Sequence, residues 1–141
     1  MRTDPHTPAQ RSFNMSRIRG RDTKPEMAVR RFLHRRGYRY RLHVSGLKGK
    51  PDLVFTRRRK AIFVHGCFWH RHSCDNGRAM PKSRAEFWNR KFRDTRKRDE
   101  FSLKSLETEG WKTFVIWECE IRRNCASTWR QLIRFLGPPQ S

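Results

Sequence analysis

Residues 52–65 read Asp-Leu-Val-Phe-Thr-Arg-Arg-Arg-Lys-Ala-Ile-Phe-Val-His. Two apolar runs, Asp52–Phe55 and Ala61–His65, flank the polar turn Thr56–Lys60, a pattern that predicts two short strands. Ile62, Phe63 and Val64 follow one another without a polar break, so the second strand should be buried on both faces. Upstream, Tyr38–Leu42 is a third strand-like run, set off by Ser45–Pro51 with its two glycines. Before it, Asp22–Gly37 has the marks of a helix: Asp22 or Thr23 as cap, Pro25 in the first turn, Glu26 at the positive end and Gly37 as stop. Ala28, Phe32 and Leu33, with Met27 beside them, form its expected apolar stripe. Downstream, residues 66–82 have no period and read as a loop. Ser83–Glu109 suits a long or broken helix ended by Gly110, Thr113–Trp117 a central strand, and Ser127–Leu136 a last helix. The order α, β-β-β, α, β, α defines an α/β protein with a mixed sheet flanked by helices.

The 141 residues fit one domain, expected over residues 23–137, with a partly flexible basic arm at 1–22 and a short tail at 138–141. Leu, Ile, Val and Phe make up about a fifth of the chain, close to the composition of disordered chains. Five Trp and ten Phe offset this, because aromatics bury much area per residue. A small core with outside help is the expectation. No apolar run approaches the ~18–20 residues of a membrane span, and residues 1–12 are not a signal peptide. Thirty-four Lys and Arg against 13 Asp and Glu give +21, which favours a polyanionic partner, nucleic acid first.

The outside help is visible in His65-Gly-Cys-Phe-Trp-His-Arg-His-Ser-Cys74, which holds three His and two Cys in ten residues. Cys67, His72 and Cys74, joined by Cys119 after the later strand, supply the four soft donors of a tetrahedral Zn²⁺ site. With no open position, such a site is structural, and zinc contributes roughly 10–16 kcal/mol to folding in small peptides. No secretion signal supports disulfides, so a reduced, cytoplasmic setting is expected. Asp52, at the mouth of one strand, and His65, at the end of the next, are placed to hold a hard cation such as Mg²⁺ and to move a proton. His70 is a second proton-transfer group, and Glu26 can polarise a metal-bound water. Phe68 and Trp69, large apolar residues in a polar loop, suit a wedge between base pairs, with Trp88 as a third. Trp111, Trp117 and Trp129 read as core, and His34 and His43 as surface.

Six blocks in order resemble the very short patch repair endonucleases, the Vsr family: Asn14-Met-Ser-Arg-Ile-Arg-Gly-Arg-Asp-Thr-Lys-Pro-Glu26, Gly49-Lys-Pro-Asp52, Phe63-Val-His-Gly-Cys-Phe-Trp-His70 with His72 and Cys74, Arg84-Ala-Glu-Phe-Trp88, Gly110-Trp111 and Ile116-Trp-Glu-Cys119. They span roughly residues 14–121. The resemblance implies a restriction-endonuclease-like fold and a single-strand nick beside a T·G mismatch left by deamination of 5-methylcytosine. It implies Mg²⁺ on Asp52 and on the backbone carbonyl next to His65, catalytic His65 and His70, Glu26 acting from the first helix, and zinc on Cys67, His72, Cys74 and Cys119. Asp99 matches an acidic position that orients a catalytic His. Val64 stands where part of the family has Thr, so a hydroxyl at the metal is absent. A monomer on double-stranded DNA, linked in function to a DNA cytosine methyltransferase, is the expected setting. Two other readings stay open: a restriction-type endonuclease of the same fold cutting both strands, and a non-catalytic zinc module that binds nucleic acid.

Overall fold

The structure, a computed structural model, describes residues 23–70, 72, 74, 78–81 and 83–139, apart from the side chains of Phe68 and Trp69. The arm expected at residues 1–22 and the end of the tail lie outside the described residues.

Helix α1 spans Lys24–Arg35. Thr23 caps it in extended conformation, its Oγ1 accepting from Glu26 N at 3.3 Å. Gly37, at φ +91°, turns the chain away. The buried positions are Glu26, Val29 and Leu33, so the stripe centres on Val29 and Leu33 rather than on Ala28 and Phe32, which are half-buried. β1 (Leu53–Phe55) and β2 (Lys60–His65) pair antiparallel with Leu53 opposite Ile62. β3 (Lys112–Trp117) pairs parallel with β2, Phe63 opposite Val115 and His65 opposite Trp117. The sheet is mixed, as expected, but its order is β1-β2-β3, which puts β2 in the centre and β3 at an edge among the described strands. Burial agrees: Ala61, Ile62, Phe63 and His65 are buried on β2, against Ile116 alone on β3.

The expected strand at Tyr38–Leu42 reduces to one bridge, Arg41 to Val54. Both tyrosines are tied to helices instead: Tyr38 donates to Gly137 O, and Tyr40 to Arg30 O at 3.2 Å. His43, left-handed at φ +55°, then ends any extended run. The expected loop after β2 contains a one-turn helix, α2 (Cys67–His70).

A parallel pair needs a crossover, and α3 (Ala85–Thr108) supplies it. Its buried residues are Phe92, Thr95, Ser102 and Leu106, and Asp99 falls in the same seam, spaced 3-4-3-4. α4 (Glu118–Arg122) and α5 (Ala126–Leu136) complete the chain. The core joins Val29, Leu33, Tyr38, Leu53, Phe55, Ile62, Ile116, Leu132 and Leu136, with Trp129 stacked on Phe32 at 4.2 Å at its margin. The carbonyl end of α5 is held by cations, Lys60 Nζ to Phe135 O at 2.5 Å and Arg58 to Leu136 O, which also suits the helix dipole.

Candidate active site and metal cluster

The parallel register builds the first cluster. His65 lies opposite Trp117, so Cys67 and Cys119, two residues past each, emerge side by side. Cys119 N donates to Cys67 Sγ at 3.3 Å. His72 Nδ1 lies 3.4 Å from Cys119 Sγ and 3.9 Å from Cys67 Sγ. With Cys74 Sγ, all four donor atoms lie within 4.8 Å of one another. A tetrahedral ion with bonds of about 2.0–2.3 Å needs donors about 3.5–3.8 Å apart, so the set fits zinc in chemistry and spacing. Cys67 has no solvent exposure, and burial pushes its thiol up to about 12. A buried thiolate cluster is unfavourable without a cation, which is the second sign of fit. Trp117 stacks on His72 at 4.3 Å, packing against this cluster rather than in the core. Glu118 Oε1 accepts from Cys67 N at 3.3 Å, a support with no sequence signal of its own.

The second cluster hangs from the same strand. Asp52 N donates to Ile62 O at 2.9 Å, and Asp52 Oδ2 accepts from Val64 N at 2.6 Å, which extends the β1–β2 ladder by a side chain. The Glu26 carboxyl is 2 % exposed, hydrogen-bonds Asp52 and pairs with Arg30 one turn along α1. Burial pushes the Asp52 carboxyl up to about 7; the Val64 amide opposes that, and Glu26 adds to it. Two carboxyl groups in one buried place, one of them raised by that burial even with Arg30 opposing, are donors suited to a hard divalent cation.

Beside them, His65 ends β2 and its ring lies parallel over His70, centroids 3.8 Å apart at 5°. His70 Nδ1 donates to Asp99 Oδ2 at 2.5 Å, which fixes the tautomer and leaves Nε2 free to exchange a proton. Burial, with His70 alongside, pushes His65 down to about 4, so it is neutral at pH 7. Its Nδ1 is buried without a hydrogen-bond partner among the described residues. The structure thus brings Asp52 to Glu26 and His65 to His70 and Asp99, and joins the pairs through adjacent Val64 and His65. Trp88 is half-buried on α3, stacked with Phe92 at 5.8 Å and edge-on to Phe87 at 5.4 Å. The side chains of Phe68 and Trp69 lie outside the described residues. Arg30 was readable beforehand as the i,i+4 partner of Glu26; the Val64 amide, a backbone group, was not.

A carboxylate pair beside two histidines, in a chain of this charge, is the equipment of a nuclease. The sequence profile of the DNA mismatch endonuclease Vsr family matches residues 3–76. The chain is 47% identical over 119 residues to the type II nicking enzyme V.XorIIP of Xanthomonas oryzae pv. oryzae, covering 84% of this chain and 87% of that one. It is 41% identical over 134 residues to the type II nicking enzyme V.NmeAIP of Neisseria meningitidis, covering 94% and 95%. To the DNA mismatch endonuclease Vsr of Escherichia coli it is 39% identical over 119 residues, covering 84% and 76%. The chain belongs to the Vsr family of DNA endonucleases.

Proposed function

We propose that this endonuclease nicks one strand of duplex DNA beside a T·G mismatch by Mg²⁺-dependent hydrolysis, in repair of deaminated 5-methylcytosine. The observation that carries the reading is the raised Asp52 carboxyl, held against Glu26 one residue from the His65–His70–Asp99 chain. Asp52 would hold Mg²⁺ with the carbonyl beside His65, Glu26 standing behind, and the ion would neutralise phosphoryl charge and lower the pKa of bound water. His65, neutral at pH 7, accepts the proton of the attacking water at its ring nitrogen. His70, oriented through Nδ1 by Asp99, donates from Nε2 toward the leaving oxygen. Cys67, His72, Cys74 and Cys119 would hold a structural Zn²⁺, which would fix the loop after β2. Phe68, Trp69 and Trp88 are the wedge: unstacking costs a few kcal/mol and least at a mismatch, which gives selectivity a physical source. The protein acts as a monomer on cytoplasmic DNA, downstream of a cytosine methyltransferase. No helix among the described residues is long and apolar enough to cross a membrane.

The test uses end-labelled duplexes differing in one T·G or T·A pair, across several flanking sequences, with and without Mg²⁺. Mg²⁺-dependent cleavage of the T strand at the mismatch is expected. Cleavage of both strands of matched DNA would replace this reading with a restriction enzyme, and tight binding without any cleavage would replace it with a binding module.

A further inference from the structure

Asp52 is reached through an unusual turn. Gly49 and Lys50 are both left-handed, at φ +77° and +51°, and Pro51 then leads into Asp52. Gly49 lies hard against α3: a Cβ built on it would stand 2.6 Å from Ser102 Cβ, 2.8 Å from Ser102 Oγ and 3.2 Å from Phe63 Cε1. Distances under 3 Å between such carbons cannot be borne without movement, so the close approach needs a residue without a side chain at 49 and a small one at 102. Ser102 is buried, in the seam position one turn after Asp99. One helix face therefore touches both halves of the site: Asp99 holds His70, and Ser102 seats the turn that delivers Asp52.

We propose that Ser102 is a positioning residue for Asp52. With Gly49 it sets how far the Lys50–Asp52 arm stands from α3, and so where Asp52 lies relative to the histidines that Asp99 anchors on the same helix. The small volume of Ser102 is what the arm requires; a larger side chain pushes Gly49 outward and draws the Asp52 carboxylate off the Val64 amide. The consequence for cleavage rests on the function proposed above, whereas the placement of Asp52 does not.

The direct readout is the Val64 amide in ¹H–¹⁵N spectra of the zinc-loaded protein without Mg²⁺, because its N–H donates to Asp52 Oδ2, nitrogen to oxygen 2.6 Å. In Ser102→Val that resonance moves upfield by several linewidths. In Ser102→Ala, which leaves the space open, it stays. Lys104→Val, on the exposed side of the same helix, controls for the effect of valine on α3 and leaves it in place. With mismatch duplex, Ser102→Val lowers kcat by about 10²-fold, with KM within about twofold. A folded Ser102→Val protein with an unmoved Val64 amide overturns the proposal, and so does an equal movement in Lys104→Val. Should Ser102→Val fail to fold, the pair is tested from the other side. Gly49→Ala moves the Val64 amide, and Ser102→Gly added to it brings the resonance back toward its native position; no return overturns the proposal. If the native protein cleaves no duplex at all, the proposed function falls while the amide result stands.

Discussion

The Cys/His cluster and the carboxylate–histidine cluster leave the same strand two residues apart, at Cys67 and His65, and differ in how their polar groups are satisfied. In the first, four donors converge on one point, Cys67 is fully buried, and backbone N–H groups and Glu118 tie the ligands down. In the second, the donors are spread: Asp52 toward Glu26, His70 toward Asp99, and His65 Nδ1 toward nothing described. His70 and Asp99 keep about a quarter of their side-chain surface exposed. A closed donor set suits a resident ion and shapes the chain. An open set with raised and lowered pKa values keeps groups ready for exchange, and stability is given up to keep them so. Trp117 touches both, stacked on His72 and edge-on to His65, so the closed cluster also serves as a wall for the open one.

The largest effect expected from breaking this contrast is on the closed side. Cys67→Ser or Cys119→Ser should give insoluble or unfolded protein, because the contribution of a zinc ion bound there would be comparable with the whole stability of a domain, about 5–15 kcal/mol. Zinc content, soluble yield and a thermal melt check this; a zinc-free Cys67→Ser protein with native Tm would show that the cluster is not structural. Next is the open side. Asp52→Ala should lower nicking at least about 10³-fold, while duplex affinity stays within about twofold, because binding rests on the many Arg and Lys. A parallel loss of binding would take the carboxylate out of the chemistry. Asp99→Asn should lower kcat by about 10–100-fold with KM within about twofold, since an amide can present its N–H₂ to His70 Nδ1 and the fixed ring orientation is then lost. An unchanged kcat would leave Asp99 a purely packing role.

Local chemistry made some of this legible from sequence. Thr23, Pro25 and Gly37 bound α1, Gly110 stops α3, and β2 is as continuous as Ile62–Val64 suggests, with Ile62 and Phe63 buried and Val64 half-buried. Cys67, His72 and Cys74 are near neighbours, so their convergence needed only a turn; Cys119 needed the sheet. What sequence withheld depends on register. The place of β3 at the edge and of Trp117 against His72 follows from pairing His65 with Trp117, which no local pattern encodes. Tyr38–Leu42 has strand composition, yet its two hydroxyls find helix carbonyls, and tertiary contacts override β-propensity. Ser102 carried no signal, because smallness matters only once Gly49 is known to lie against it.

The finest test of the contrast is the pH dependence of stability with zinc bound and no other divalent cation added. Asp52 titrates near 7 in the fold against 3.8 in the open chain. A raised acid favours the fold below its unfolded value and loses that contribution as pH climbs through the folded one, so stability falls from about pH 4 to 7. His65 titrates near 4 against 6.5. A lowered base contributes above its unfolded value and loses that contribution as pH falls toward the folded one, so stability rises over nearly the same range. The two slopes oppose, and the native protein should be almost flat between pH 5 and 6.5 as far as these groups decide it. Asp52→Asn removes one slope and keeps the other, since an amide oxygen can still accept from Val64 N. Its melting temperature should therefore rise with pH over that interval. Above pH 7 the stability of Asp52→Asn should exceed that of the native protein by about 1–2 kcal/mol, less than the full linkage because the carboxyl keeps some contact with water. Melts of both proteins from pH 5 to 8.5 decide it. Were Asp52→Asn no more stable than the native protein at pH 8, the carboxyl would not be held at a disadvantage there, and the open cluster would lack the strain that distinguishes it from the closed one.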